Sequence, residues 1–248
     1  MPDISVIIPI FNEEGNIQPL NAALSGTLNR LGKSYEIIWI NDGSTDASLE
    51  KLKGLPVPGP LGAIKIISLA AHSGKAAAMQ AGFDNASGKV FVTMDGDLQN
   101  DPADIPALLS ELDKGHDVVC GWRRDRHDTW LRRISSRAGN VFRKIFSGER
   151  IHDVGCMLRV YRADALKGIY LSGPYHRFLT WILARRGCKI AELPVTHHPR
   201  RHGEAKYNIR NRLPESLPVV FKLAFGGVED VVRRRENPQI KEVVKIGD

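Results

Sequence analysis

The sequence predicts an α/β domain with a mostly parallel central sheet flanked by helices. Three observations carry this. Apolar runs of strand length, rich in β-branched residues, alternate with segments of helical pattern, the signature of βαβ units. The first run, Ser5-Val6-Ile7-Ile8, is continuously apolar after its serine, as expected of a strand buried on both faces. Acidic residues stand just past three of the strands, where open parallel sheets bind their ligands.

The elements follow in order. After Ser5–Ile8, Asn12-Glu13-Glu14 opens a helical pattern that runs to about Leu31. Tyr35–Ile40 is a second strand, closed by Asn41-Asp42-Gly43-Ser44-Thr45-Asp46, a run of turn and cap residues that leads into a short helix. Pro56 to Gly62 reads as a surface connection and Ile64–Leu69 as a third strand. Ser73 is the expected N-cap of an alanine-rich helix through Ala86. Val90–Met94 and Asp117–Gly121 are the fourth and fifth strands. Beyond them the rhythm weakens. Thr129–Phe146 reads as a basic helix, Met157–Tyr161 as a strand, Tyr175–Arg186 as a helix, Lys189–Val195 as a strand and Pro199–Tyr207 as a polar loop.

Composition narrows the function classes. The 248 residues hold no apolar run near the roughly 18 residues of a membrane span. The N-terminus lacks the pattern of a signal peptide. Cys120, Cys156 and Cys188 are few, odd in number and widely spaced, which argues against a disulfide framework or a thiolate zinc site. The expected location is therefore cytoplasmic. The net charge of +7 is concentrated: residues 123–150 carry nine basic and three acidic side chains. Such a segment fits an anionic partner. Residues 208–235 interleave apolar side chains with Arg212, Lys222 and Arg233-Arg234-Arg235, a pattern suited to lying on an anionic membrane surface. The domain boundary is therefore set at 207, with 1–207 the α/β domain, which the resemblance given below makes the catalytic one, and 208–248 an amphipathic, basic C-terminal segment.

Asp95-Gly96-Asp97 follows the fourth strand directly. Glycine allows a bend that turns two carboxylates to one point. With Gln99 they form a hard-oxygen donor set suited to Mg²⁺ or Mn²⁺, with substrate phosphates completing the shell. Competing phosphate chemistries fail on their motifs. Gly74-Lys75 lacks the rest of a Walker A loop, and no Gly-x-Gly-x-x-Gly follows the first strand. His197, His198 and His202 lack helical ligand spacing and a nearby cysteine, so they read as surface histidines.

Several segments in order then resemble one family. They are Pro9-Ile10-Phe11-Asn12-Glu13, Asn41 to Asp46, Gly74-Lys75 with Ala81-Gly82, and Asp95-Gly96-Asp97-Leu98-Gln99. Gly121-Trp122-Arg123, Asp153 and Arg200 to Tyr207 extend the likeness. Together they are similar to inverting glycosyltransferases of the GT-A fold, in particular dolichol- or polyprenyl-phosphate mannose and glucose synthases. The resemblance implies a GDP- or UDP-sugar donor and a lipid-phosphate acceptor. It implies that Pro9, Phe11, Glu13, Asp42 and Lys75 line the nucleotide side, and that Asp95, Asp97 and Gln99 address metal and diphosphate. Arg200 and Lys206 would close on the diphosphate. Arg123, Arg132 and Ser136 would bind the acceptor phosphate. Alanine stands at Ala205 where the family pattern usually has serine, and Phe11 where it usually has tyrosine.

The acceptor decides the catalytic need. A phosphomonoester, with a second pKa near 6, is already ionised at neutral pH and needs positioning. A hydroxyl acceptor needs a base, for which Asp153 is the candidate. The alternatives are therefore the same donor chemistry onto a glycolipid or polysaccharide hydroxyl, or a nucleotidyltransferase. A nucleic-acid partner is not expected, because no RNA-recognition or zinc-finger pattern is present.

Overall fold

The computed structural model describes residues 1–124, 151–200 and 238–247. Eight strands form one sheet: β1 (Ile4–Ile10), β2 (Tyr35–Asn41), β3 (Gly62–Leu69), β4 (Val90–Thr93), β5 (Val118–Trp122), β6 (Arg159–Arg162), β7 (Ile190–Pro194) and β8 (Ile240–Ile246). Their order is β7-β5-β6-β4-β1-β2-β3-β8. β4, β1, β2 and β3 run parallel, as do β5 and β7, whereas β6 and β8 are antiparallel to their neighbours. The fold class expected from the sequence is the one observed.

Two apolar layers cover the sheet, one on each face. Alternate residues of a strand feed opposite layers. Ile7 packs under α3 (Lys75–Asn85). Val6 and Ile8 pack on the other face with α1 (Ile17–Asn29), Leu52 of α2 (Ser48–Lys53) and α4 (Ile105–Leu112). All seven residues of β2 are buried; its apolar run Ile37-Ile38-Trp39-Ile40 follows from this, while the buried Glu36 and Asn41 are met by hydrogen-bonding partners. The small residues of α3 let it sit close: a Cβ on Gly82 would come within 2.4 Å of Ile7 Cγ2.

Several boundaries differ from expectation. Asn12-Glu13-Glu14 is not helical. Asn12 has φ +52°, and α1 begins only at Ile17. Instead these residues clasp the loop after β2: Glu13 N–H donates to Ser48 Oγ (2.9 Å) and Thr45 N–H to Asn12 Oδ1 (2.8 Å). Ser73 does not cap α3. Its own N–H and that of Gly74 are taken by Asp42, which supplies the anion at that helix start. The expected helix at Tyr175–Arg186 is a 3₁₀ turn (Gly173–Phe178) followed by α5 (Leu179–Arg185), with Pro174 at the turn's start. The helix α4 had no counterpart in the sequence reading. Nor had β8, which places the last part of the 208–248 segment on the sheet edge beside β3.

Candidate active site

The acidic strand ends meet along one edge of the sheet. β4 leads through Met94 into Asp95-Gly96-Asp97. The bend there does not come from Gly96. A Cβ on Gly96 would lie 2.6 Å from Ile10 Cγ2, so its role is to let the motif pack on the end of β1. The left-handed residue is Leu98, at φ +59°, an uncommon conformation for a branched side chain and a mark of local strain. The strain tightens the turn so that Gln99 N–H donates to Asp97 Oδ1 (3.2 Å).

Each carboxylate has its own cation. The Lys75 ammonium, in the first turn of α3, is paired with Asp95 Oδ1. Arg200 Nη2 lies 2.7 Å from Asp97 Oδ2. Burial raises the Asp95 carboxyl, but Lys75 outweighs it and the net direction is down. Asp97 goes up, first through burial and then through the negative charge of Asp95, against the pull of Arg200. His176, on the 3₁₀ turn before α5, borders the same pair. Burial, with Lys75 and Arg177, pushes its imidazole down to about 3. It is a neutral group at physiological pH.

The segment that brings in Arg200 is fixed along its length. Thr196 N–H donates to Asp104 Oδ2 (2.8 Å) and His198 N–H to the Gln99 carbonyl (2.9 Å). The His198 ring sits 3.0 Å from Asp101 Oδ2. This histidine therefore holds a strap and is not an idle surface group.

Asp42 directly follows β2 and is buried. Its Oδ1 accepts from Ser73 N–H (2.7 Å), its Oδ2 from Gly74 N–H (3.0 Å), and His72 Nδ1 lies 2.9 Å from Oδ2. Burial still leaves the Asp42 carboxyl raised. The His72 ring stacks on Phe11, with centroids 3.9 Å apart. Gly43 makes this approach possible. At φ +68°, with a hypothetical Cβ 2.5 Å from His72 N, no other residue fits. The Glu13 Oε2 accepts from Asn16 Nδ2 (2.6 Å).

Arg123 leaves the end of β5 and is gripped by Asp153. Nε donates to Oδ2 (2.6 Å), Nη2 to Oδ1 (3.0 Å) and the backbone N–H to Oδ2 (3.3 Å). Gly155 N–H adds a fourth bond, to Oδ1 (3.1 Å). Burial opposes the Arg123 charge, but Asp153 more than offsets it and the guanidinium pKa moves up. Asp153 is buried, at 5% exposure, and Arg123 nearly so, at 13%. Arg123 also acts electrostatically on Asp95, which places it in the same site.

The model of the family described as "Glycosyl transferase family 2" matches residues 5–170. The chain belongs to glycosyl transferase family 2. It is 41% identical, over 90% of its length and 67% of the relative's, to the dodecaprenyl-phosphate galacturonate synthase of Rhizobium johnstonii. It is 35% identical, over 83% of its length and 63% of the relative's, to the undecaprenyl-phosphate 4-deoxy-4-formamido-L-arabinose transferase of Edwardsiella ictaluri. The chain thus spans about two thirds of the length of these curated relatives. Among solved structures it is similar to the glucosyl-3-phosphoglycerate synthase of Mycobacterium tuberculosis in complex with Mn²⁺, UDP-glucose and phosphoglyceric acid. That match has a TM-score of 0.69 and 15% identity, and covers 91% of this chain and 81% of the other. The same synthase with Mg²⁺ and UDP gives a TM-score of 0.66 at 16% identity, over 91% and 80% of the two chains. These similarities establish the GT-A fold.

In this glycosyl transferase, Pro9, Phe11, Glu13, Asp42, Lys75, Asp95, Asp97, Gln99, Arg123, Asp153 and Arg200 all lie among the described residues. Arg132, Ser136, Lys206 and the segment 208–235 lie outside them. The donor set at Asp95-Gly96-Asp97 suits a hard divalent ion. Among the described residues, however, no three His, Cys, Asp or Glu side chains could enclose a metal. A metal held by Asp95, Asp97 and Gln99 would need further oxygen ligands, which substrate phosphates commonly supply to Mg²⁺. No helix among the described residues is long and apolar enough to cross a membrane. The sequence reading missed His72 and His176. The two histidines are recognisable only once α3 and the 173–178 turn are placed.

Proposed function

We propose that the chain is a metal-dependent inverting glycosyltransferase that moves a sugar from a UDP- or GDP-sugar to a polyprenyl phosphate. The observation that carries the choice of acceptor is the Arg123–Asp153 pair. Asp153 accepts four hydrogen bonds, three of them from Arg123. A carboxylate so engaged is a poor base for a hydroxyl. An arginine so fixed is a good receptor for a phosphate that already carries its charge. The names of the relatives, both built on polyprenyl phosphates, support the same acceptor class.

Asp95, Asp97 and Gln99 would hold Mg²⁺ or Mn²⁺, which, when bound, offsets charge on the leaving nucleoside diphosphate. Lys75 and Arg200, now paired with those carboxylates, would turn to the diphosphate, as would Lys206. Phe11, with Pro9, offers the base a stacking surface. Glu13 and Asp42 supply acceptors for ribose or base. Arg132 and Ser136 would share the acceptor phosphate with Arg123. The segment 208–235 would rest on the cytoplasmic face of the membrane that holds the lipid.

The test is transfer with Mn²⁺ from a panel of UDP- and GDP-sugars, a UDP-uronic acid included, to a short prenyl phosphate and to the matching prenol. The phosphate should be the substrate, and chelation should stop turnover. Faster transfer to the prenol would overturn the acceptor assignment and return Asp153 to the role of base.

A further inference from the structure

Glu192 belongs to β7, the edge strand beyond β5, where it pairs in register with Cys120. The turn at residues 151–156 leads into β6, on the opposite side of β5. The Glu192 side chain reaches past the end of β5 to that turn. Its Oε1 accepts from Asp153 N–H (3.1 Å). Its Oε2 accepts from His152 N–H (2.8 Å) and lies 2.9 Å from His152 Nδ1. The His152 ring stacks in turn on Trp122, at 4.6 Å between centroids. From within, Arg159, fully buried on β6, donates to the carbonyls of Val154 and Cys156 in the same turn. The carboxylate of Glu192 is only 10% exposed, so solvent does little to replace these bonds.

The consequence concerns Arg123, the residue next after Trp122. Arg123 can hold one orientation only if Asp153 does. Arg159 holds the far half of the turn, at Val154 and Cys156, whereas the N–H groups of His152 and Asp153 are both taken by Glu192 from across β5. We propose that Glu192 is a positioning residue for the acceptor site: it anchors the turn, the turn aims Asp153, and Asp153 aims Arg123. This rests on the assignment of Arg123 to the acceptor phosphate. A long carboxylate at an ordinary strand position thereby acts on binding through two intermediates, touching neither substrate. The donor side, at Asp42 and Lys75, is held by other elements and stands outside this chain of contacts.

The experiment has two arms. The first uses the protein alone. Glu192→Ala should raise amide exchange across residues 152–156 by at least about ten-fold and leave exchange in β1 and β2 unchanged, since opening is local. The second is kinetic. The acceptor KM for a short prenyl phosphate should rise at least about five-fold, with the donor KM and kcat within about two-fold. In an Arg123→Ala background the same substitution should add nothing, because coupled sites are non-additive. Equal changes in both KM values, or an effect that adds fully to Arg123→Ala, overturns the proposal and leaves Glu192 a structural residue. Unchanged exchange at 152–156 overturns the anchor itself. If the unaltered enzyme transfers nothing to prenyl phosphate, the acceptor assignment fails, while the exchange arm still decides the anchor.

Discussion

Replacing Asp153 by Asn keeps the shape of the side chain and removes its charge. The wild-type carboxylate accepts from Arg123 Nε, Nη2 and N and from Gly155 N. Asparagine keeps one oxygen and turns an NH₂ toward two of these donors. At 13% exposure the guanidinium has little water to turn to. Losing one charge-assisted bond costs about 1.5–3 kcal/mol, and stranding one member of a buried pair costs about 3–5 kcal/mol. A loss of about 3 kcal/mol follows. For a chain of this size it lowers the melting temperature by about 6–12 °C, at about 2–4 °C per kcal/mol. Calorimetry measures this directly. Kinetics with prenyl phosphate should show a raised acceptor KM, with much of kcat retained at saturation. A melting temperature within about 2 °C of wild type would refute the energetic reasoning. A kcat loss of about 1,000-fold at unchanged acceptor KM would show that Asp153 is a base instead.

Other outcomes follow from the same geometry. Asp97→Asn should lower turnover at least about 100-fold, as loss of charge stabilisation at a leaving group does. Its fold should survive, because the change removes a carboxylate strained by burial and by Asp95; activity and melting curves together check this. Gly43→Ala forces a Cβ to within 2.5 Å of His72 N at φ +68°. It should cost at least about 2 kcal/mol and weaken nucleotide binding, as read by denaturant titration and calorimetric binding. Glu36 is buried and receives Ser5 Oγ (2.6 Å), Ser87 N–H (2.7 Å) and Lys65 Nζ (3.0 Å). Burial raises its carboxyl, but these partners outweigh it and the folded pKa is below 4.5. Its stabilisation is therefore complete above the unfolded value and is lost as pH falls through the lower folded one. Glu36→Gln should cost about 2 kcal/mol at neutral pH and less in acid, which urea midpoints across pH 3–7 (roughly the carboxylate range) measure.

Elements buried on both faces were the most legible in the sequence. β1 and β2 announce themselves because nearly every residue in them is buried, which leaves the apolar runs Val6-Ile7-Ile8 and Ile37-Ile38-Trp39-Ile40 with no polar face between them. The edge strand β8 has exposed Ile240 and Val243 and alternates in burial, and its amphipathic sequence reads equally as a surface segment. The start of α1 was misread because Asn12-Glu13-Glu14 are good helix openers locally. Their long-range bonds to residues 44–48 hold them in a turn instead. In the site, Asp95, Asp97 and Asp42 were found from their place after strands. Arg123 and Asp153 were found singly, by resemblance. Their pairing across 30 residues was not legible, because nothing in a linear pattern records which charge meets which. Glu192 carries no local signal at all. It sits in a strand as any other glutamate would, and only the arrival of the 151–156 turn within reach of its carboxylate gives it a task.

The central claim is that a phosphate, already ionised, attacks a nucleotide-sugar at this site. Phosphorus NMR of one reaction mixture tests it most directly, with enzyme, diamagnetic Mg²⁺, an accepted nucleotide-sugar and a short prenyl phosphate. The account predicts that the phosphomonoester signal gives way to a phosphodiester while nucleoside diphosphate appears in equal amount. Release of nucleoside diphosphate with the phosphomonoester unchanged would contradict it.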